Sequence, residues 1–313
     1  MSRVAAVDCG TNTIRLLVAD LDAATGEQRD LVREMRIVRL GQDVDRTGRL
    51  AEQALARTFT AVEEYAALVA QAGADTGIAA LRFCATSASR DADNAEVFVE
   101  GVRQRVGVRP EVLTGDEEAQ LSYTGATRVL AGLDVPGPVL VVDIGGGSTE
   151  LILGPAADDR DGEVRARSLD IGSVRLTERL MPSDPPTDAE AAAARSAIDE
   201  AVAGSEIPVE EAGTVIGVAG TVTTVAAVSL GLTGYDRDRV HHSWLSKADV
   251  AEVTARLLAL TAAEREGLHI PAGRADVIAA GALILDRVLA GAGVGRLLVS
   301  ESDILDGIAW SLV

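Results

Sequence analysis

The chain has 313 residues, of which 47% are hydrophobic and 25% are charged, and its formal net charge is −19. This length and composition predict a globular protein of two domains and exclude a disordered chain. Nucleic acids and anionic membranes are bound mainly through lysine and arginine, so a surface this acidic excludes both as expected partners.

The N-terminal residues predict a β-hairpin with a polar turn. Residues 4–18 consist of an apolar run that ends at Asp8, a turn that contains Gly10, and a second apolar run that includes Arg15. The small turn residues allow backbone N–H groups to approach an anion, because glycine has no Cβ. An aspartate at the end of the incoming strand suits a cation, held directly or through water.

Strands and helices alternate after this hairpin. The predicted elements are a strand at 33–40, a helix at 50–72 that ends at Gly73, a buried strand at 78–86, a helix from an Asn94 cap to Val106, and a short strand at 111–113. Free cysteine is commonly buried, and both cysteines, Cys9 and Cys84, lie in apolar runs. We expect buried free thiols.

Two adjacent glutamates follow the short strand. Thr114 and Glu117 have the spacing of a capping box, which predicts a helix from there to about Leu130. Glu118 is rotated by about 100° around that helix and can point elsewhere. A carboxylate that faces a phosphate site can act as a general base toward water. The alternative for Glu118 is a solvated acid that interacts with the helix dipole.

A second hairpin repeats the first. Residues 139–153 superpose on residues 4–18 without a gap, with Asp143 on Asp8, Gly145 on Gly10 and Glu150 on Arg15. Three consecutive glycines are costly in chain entropy, which favours a function for this turn. Asp143 and Glu150 flank the turn and could both reach one Mg²⁺ ion. Arg15, at the position matching Glu150, is suited to a phosphate.

The remaining sequence continues the alternation. The predicted elements are a helix that starts at a Thr187/Glu190 capping box and runs to about Gly204, a strand at 214–219, a turn at Gly220 and Thr221 into a helix at 222–230, helices at 250–260 and 275–290, a strand at 296–300 and a closing helix at 302–312. This alternation and the internal repeat predict a duplicated α/β architecture, with a domain boundary between residues 125 and 138.

Several other residues admit both a structural and a functional interpretation. Arg90 and Arg274 each precede a helix, where a surface arginine is the ordinary case. Residues 217–221 could form a phosphate or nucleoside cradle at a helix start, although a Gly-x-x-Gly pair is a weak signal alone. His241 and His242 lack the spacing of a zinc site. The chain opens without a signal-peptide pattern, so a cytoplasmic location is expected.

Taken together, these segments resemble the exopolyphosphatase / guanosine pentaphosphate phosphohydrolase (Ppx/GppA) family of the actin-like and sugar-kinase superfamily, in its short two-domain form. The resemblance covers essentially the whole chain and rests on residues 8–16, 85–94, 114–119, 143–150, 217–221 and 273–276. It implies two actin-like, ribonuclease H-like domains (residues 1–125 with 301–313, and residues 126–300) with the active site in the cleft between them. It also implies that the final helix packs on the N-terminal domain.

The resemblance also implies roles for individual residues. Glu118 corresponds to the catalytic base, and Asp143 and Glu150 serve Mg²⁺ and the attacking water; we add Asp8 to the metal ligands and keep Mn²⁺ as an alternative ion. The phosphate-binding residues expected on this basis are Gly10, Thr11, Asn12, Thr13, Arg15, Arg90, Gly145, Gly146, Gly147, Ser148, Gly220, Thr221 and Arg274.

The implied reaction is hydrolysis of the terminal phosphoanhydride of inorganic polyphosphate. Larger relatives carry a C-terminal helical region that helps to hold long chains, so short chains are the expected substrates of this form. One alternative is removal of the 5′-terminal phosphate of guanosine pentaphosphate. A second is a non-hydrolytic sensor of an alarmone, such as guanosine penta- or tetraphosphate, or of another nucleotide. A third is a kinase of the same superfamily, for which no acceptor-sugar pocket can be identified. A homodimer is also expected.

Overall fold

A computed structural model describes residues 1–128, 130, 133, 135–156 and 163–313. The chain divides into two compact units, Met1–Gly125 with Ile304–Val313, and Ala126–Asp303. The elements of the first part of the chain are β1 (Ser2–Cys9), β2 (Thr13–Leu21), β3 (Gln28–Ile37), α1 (Val44–Thr47), α2 (Glu52–Ala72), β4 (Ala80–Ala85), α3 (Ser87–Arg90), α4 (Ala95–Val106), β5 (Glu111–Val112) and α5 (Gly115–Arg128).

The second part of the chain continues with a further set of strands and helices. These are β6 (Val139–Ile144), β7 (Thr149–Gly154), β8 (Arg165–Leu169), α6 (Ser173–Leu180), α7 (Asp188–Gly204), a 3₁₀ turn (Val209–Glu211), β9 (Thr214–Val218), α8 (Ala219–Ser229), α9 (Arg237–Val240), β10 (Trp244–Ser246), α10 (Lys247–Ala259), α11 (Ala262–Glu266), α12 (Ala272–Ala275), α13 (Ile278–Gly291), β11 (Arg296–Val299) and α14 (Ile304–Trp310).

The first unit is a five-stranded mixed sheet with helices packed against it. The strand order is β3-β2-β1-β4-β5, with β1 and β2 antiparallel and β4 parallel to β1. Helix α2 places Leu55, Val62 and Tyr65 on its buried side, as an amphipathic helix does when its apolar residues recur with the helical period. These residues form one core with Val7 and Phe83 from the sheet.

The last helix belongs to the first unit, as predicted. Ile304, Leu305 and Ile308 of α14 pack in a second core with Val4 and Leu17. Polar contacts also hold this helix, because Asp306 accepts hydrogen bonds from Gln28 and Arg33, and Trp310 Nε1 donates to Gln28 Oε1 at 2.7 Å. Burial on both sides explains why the middle of β1 (residues 4–7) and of β2 (residues 16–19) is apolar without alternation.

The second unit is built on a six-stranded sheet of related topology. Its strand order is β10-β11-β9-β6-β7-β8, with β6, β7 and β8 forming an antiparallel meander and β9 parallel to β6. Each sheet therefore contains a three-stranded meander whose first strand pairs in parallel with a later strand. This shared order confirms the predicted internal repeat, and the buried helices α8, α10 and α13 contribute to a single core in this unit.

Three details of the predicted elements are wrong. Gly220 and Thr221 lie within α8, which begins at Ala219, rather than in a turn before it. The helix expected at 275–290 is α13, which begins three residues later at Ile278, and the short helix α12 precedes it. Asn94 occupies the N-cap position of α4, but its side chain makes no capping bond and instead pairs with the backbone N and O of Leu50.

The sequence patterns also missed the short elements, namely α1, α3, β8, α6, the 3₁₀ turn, α9, β10, α11 and α12. Both cysteines are free and buried, as expected, and burial raises the pKa of Cys84 to about 12. No helix in the described part of the chain combines the length and the apolarity needed to cross a bilayer.

Candidate functional site

The first hairpin brings two predicted site residues into an ion pair. Asp8 at the end of β1 lies directly opposite Arg15 on β2. The Nη2 and Nε atoms of Arg15 donate to Asp8 Oδ2 at 2.6 and 3.1 Å. Asp8 was predicted to bind a metal and Arg15 to bind phosphate. The structure places both on one strand pair, where the carboxylate orients the guanidinium.

The turn between these strands is fixed by the loops beside it. Gly10 N donates to Thr13 O at 2.9 Å, and the hydroxyls of Thr11 and Ser87 are 2.8 Å apart. The carbonyl of Asn12 accepts two backbone hydrogen bonds from the segment that follows β3. Ser87 begins α3, so this contact joins the turn to the predicted segment at 85–94.

Glu118 is a buried acid held by an arginine. Its side chain lies in the first turn of α5, the residue is only 7% exposed, and Arg90 Nη1 donates to its Oε2 at 3.1 Å. The same nitrogen donates to Leu113 O at 2.8 Å, which anchors Arg90 to the loop before the helix. Glu118 is therefore not the solvated helix-terminal acid that the sequence left open.

Glu117 has the separate structural role that was predicted for it. Its carboxylate accepts from the backbone N of Thr114 at 2.8 Å, and Thr114 Oγ1 accepts from Glu117 N at 3.2 Å. The bond from the Thr114 backbone is the main reason why the pKa of Glu117 lies below its usual value. The capping box at the start of α5 is thus confirmed.

The second hairpin places two carboxylates opposite each other. Asp143 on β6 pairs in register with Glu150 on β7, so both side chains project from the same face of the sheet. Both residues are buried, and Glu150 Oε1 accepts from Ser168 Oγ at 2.7 Å. Mg²⁺ prefers oxygen ligands and usually keeps several waters, so two carboxylates fit the chemistry of such a site.

A metal site whose ligands all come from protein side chains would need more than these two carboxylates. Among the residues that the structure describes, no group of three or more His, Cys, Asp or Glu side chains is arranged to hold a metal ion. A cation at Asp143 and Glu150 would therefore take its other ligands from water or from phosphate oxygens, which is the usual arrangement for Mg²⁺ on phosphorylated substrates.

The triple-glycine turn packs on the start of α6. The carbonyls of Gly145 and Gly146 accept from the backbone N–H groups of Ser173 and Val174 at 3.0 and 2.8 Å. A Cβ on Gly172 would lie 2.5 Å from the backbone of Gly146, so only glycine permits this approach. The turn is therefore held against α6 by backbone hydrogen bonds.

Sequence reasoning missed this support of the turn. Arg175 Nε donates to Gly147 O at 2.7 Å, and Thr149 Oγ1 donates to Ile171 O at 2.7 Å. The sequence indicates this contact only through Gly172, and a single glycine between Ile171 and Ser173 does not reveal which segment packs against it. Ser148, predicted to bind phosphate, is buried within the turn.

The start of α8 is shaped around Arg274. Ala219, its first residue, has a positive φ of 66°, which is unusual for a residue with a Cβ. Arg274 Nη1 donates to Gly220 O at 3.2 Å and to Thr224 Oγ1 at 2.9 Å. A Cβ on Gly220 would clash with the guanidinium group of Arg274. Gly220 therefore makes room for the arginine rather than forming a flexible turn.

Thr221 and Ser173 meet at α13. A Cβ on Gly281 would lie 2.6 Å from Thr221 Cγ2 and 3.2 Å from Ser173 Cβ. The starts of α6 and α8 are thus brought together against one glycine of α13. Ser173 is bonded to the triple-glycine turn, and Thr221 follows Gly220, which accepts from Arg274. Their packing at Gly281 therefore connects the triple-glycine turn with the Arg274 side chain within the second unit.

Comparisons with known proteins assign the chain to a family. Residues 17–301 match the Ppx/GppA phosphatase family. The chain is 46% identical to exopolyphosphatase 2 of Mycobacterium tuberculosis, with 100% of this chain and 99% of that protein covered. It is 31% identical to exopolyphosphatase 1 of Mycobacterium bovis, with coverages of 91% and 80%.

Solved structures agree with this assignment. An exopolyphosphatase-like protein has a TM-score of 0.91 at 42% identity, with 98% of both chains covered. The Aquifex aeolicus member of the Ppx/GppA family has a TM-score of 0.80 at 31% identity, with 99% of this chain and 97% of that chain covered. The two mixed sheets are thus those of a duplicated, actin-like α/β protein, and the predicted fold class is confirmed. The chain belongs to the Ppx/GppA phosphatase family.

Proposed function

We propose that this protein is an exopolyphosphatase, which releases orthophosphate from the end of an inorganic polyphosphate chain. The observation that carries the proposal is the buried Glu118 carboxylate, oriented by Arg90 while its neighbour Glu117 is occupied by the helix cap. Similarity over the full chain to a protein named exopolyphosphatase 2 supports this substrate.

Glu118 is the general base of the proposed reaction. Its carboxylate accepts a proton from a water molecule as the water oxygen forms a bond to the terminal phosphorus. The bond from that phosphorus to the bridging oxygen breaks, and the shortened chain leaves with the electron pair. The Arg90 hydrogen bond fixes the orientation of the carboxylate, as general-base catalysis requires.

Phosphoryl transfer depends mainly on positioning and charge neutralisation. We assign phosphate binding to Arg15 and Arg274, whose guanidinium planes are fixed by Asp8 and by the start of α8. Arg90 is close enough to Glu118 to serve both the base and a phosphate. The other residues proposed to contact phosphate through small side chains and backbone N–H groups are Gly10, Thr11, Asn12, Thr13, Gly145, Gly146, Gly147, Ser148, Gly220 and Thr221.

We assign Asp143 and Glu150 to Mg²⁺, with Asp8 as a further candidate ligand and Mn²⁺ as an alternative ion. The ion, when bound, would neutralise phosphate charge. Ser168 orients the Glu150 carboxylate through its hydroxyl, and Arg15 orients Asp8. Asp8 is kept as a further candidate although its Oδ2 atom accepts from Arg15, because a carboxylate has a second oxygen.

Phosphate release from tripolyphosphate, long-chain polyphosphate, guanosine pentaphosphate and ATP tests the proposal. We expect release from the polyphosphates in Mg²⁺ and its loss in excess chelator, with recovery when Mg²⁺ is restored. Equal release in chelator would contradict the metal assignment. Release from guanosine pentaphosphate alone would replace the proposed substrate, and binding without release from any compound would favour a sensor. The homodimer and the cytoplasmic location remain predictions, which sedimentation velocity and cell fractionation would test.

A further inference from the structure

Arg265 is a buried charge outside the residues discussed above. It lies in α11, and only 1% of the residue is exposed. Placing a guanidinium in a protein interior is costly unless hydrogen bonds compensate it. Burial lowers the pKa of Arg265, and the nearby carboxylates of Asp184 and Asp276 oppose that effect. An arginine keeps its charge in such a place.

The side chain connects three helices. Arg265 Nε donates to Leu257 O at 2.8 Å in the last turn of α10, and Nη1 donates to Ala275 O at 2.9 Å at the end of α12. Asp184 Oδ1 lies 3.9 Å from Nη1, and the same carboxylate accepts from Ala262 N at the start of α11. One side chain therefore ties the short helix α12 to the longer helix α10.

The residue before Ala275 is Arg274. Its guanidinium bonds to Gly220 O and Thr224 Oγ1 at the start of α8. Two hydrogen-bonded bridges therefore follow one another in the second unit. In the first, the Arg265 side chain joins α10 to α12, and in the second, the Arg274 side chain joins α12 to α8. The first bridge ends at the carbonyl of Ala275, and the second begins at the side chain of the preceding residue, Arg274.

We propose that Arg265 is a positioning residue for phosphate binding: it holds α12 so that Arg274 is presented at the start of α8. This inference rests on the proposed function only in its kinetic part, because the two bridges are features of the fold. The geometry requires arginine. Nε and Nη1 of one rigid plane reach carbonyls on two different helices, whereas the single ammonium of lysine cannot donate along both directions.

The kinetic test uses Arg265→Lys with tripolyphosphate as substrate. One hydrogen bond is typically worth about a factor of 2 to 10, so KM should rise by roughly that factor while kcat changes little. If Arg265 acts through Arg274, adding Arg265→Lys to Arg274→Met should change KM no further. Multiplicative effects in the double variant would overturn the proposal. If Arg265→Lys does not fold, Asp184→Asn replaces it, with a smaller increase of KM expected.

Hydrogen exchange supplies a readout that does not depend on catalysis. Arg265→Lys should accelerate amide exchange in α12 and in residues 219–224, and leave α7 unchanged. Ile198→Val, a core change in α7, is the matched control and should alter neither segment nor KM. Unchanged exchange at 219–224 would overturn the proposal even if α12 loosens. If the wild-type protein hydrolyses no polyphosphate, the proposed function fails while this measurement still decides the positioning role.

Discussion

Adjacent residues on one helix can make unrelated contacts, and Glu117 and Glu118 do. The helical period turns their side chains about 100° apart, so one returns to the cap and the other faces Arg90. The Glu117 carboxylate is exposed and bonded to Thr114. A carboxylate that is held by the helix cap in this way is not available to a water molecule elsewhere.

Replacing the two glutamates by glutamine separates catalysis from capping. Glu118→Gln keeps the size of the side chain but cannot accept a proton, so kcat should fall by about 10² to 10⁴ while substrate affinity is retained. Glu117→Gln should retain activity and stability, because glutamine also completes a capping box. Steady-state kinetics measures kcat, calorimetric titration with tripolyphosphate measures substrate affinity, and thermal denaturation measures the stability of both variants.

The opposite pattern would reverse the assignment. A strong loss of turnover in Glu117→Gln with normal turnover in Glu118→Gln would make Glu117 the base. Unchanged turnover in both variants would remove the general-base mechanism and favour the sensor hypothesis.

At the scale of secondary-structure elements, α14 supports the helix that carries Glu118. Gly307 of α14 lies against the backbone carbonyl of Leu121 in α5, and a Cβ at this glycine would clash with it. Leu121 is one turn after Glu118 on the same helix. The absence of a side chain at Gly307 therefore permits the close approach of α14 and α5.

Gly307→Ala should consequently affect both stability and turnover. A methyl group forced against a backbone atom typically costs about 1 to 3 kcal/mol and shifts the helix, so urea denaturation should show that loss and kcat should fall. Gly204→Ala, at the end of α7, is the control, because a Cβ there meets no atom within 4 Å. Equal stability and equal kcat for the two variants would show that α14 does not constrain α5.

At the scale of the whole molecule, the proposed substrate and the protein have the same sign of charge. A net charge of −19 repels a polyanion at long range, while Arg15 and Arg274, which we propose as phosphate-binding residues, would attract it at short range. Salt weakens the long-range interaction more than contacts between partly buried groups. The two contributions can therefore be separated by substrate length, because a long chain meets more of the repulsive field.

We expect kcat/KM to be higher for short than for long polyphosphate at low ionic strength. Raising the ionic strength from about 0.01 M to about 0.15 M shortens the Debye length from about 30 Å to about 8 Å, and should bring the two values closer. The kcat/KM for short polyphosphate divided by that for long polyphosphate is informative, because the contacts of the terminal phosphates are common to both substrates and cancel. A ratio that stays constant, or that favours long chains at low salt, would contradict this prediction.

Much of the fold follows from local sequence rules. The two hairpins, the capping boxes at Thr114 and Thr187 and the end of α2 at Gly73 are confirmed, because each depends on residues close together in the chain. The family follows for a related reason, since its characteristic segments are short and occur in a fixed order. The carboxylates of Asp143 and Glu150 were paired correctly because hairpin register is local.

Tertiary structure alone decided the contacts between distant segments. Arg90 meets Glu118 across 28 residues, Arg274 meets Gly220 across 54, and Arg33 meets Asp306 across 273. Such pairs depend on how whole elements pack, and an isolated arginine in a sequence gives no direction to its side chain. The conformation of Ala219 and the close approach at Gly172 belong to the same class. The sequence by itself determined which groups are available for the proposed phosphate chemistry. Packing determined which of these groups are held together, because contacts between distant side chains form only when the helices and strands that carry them have packed.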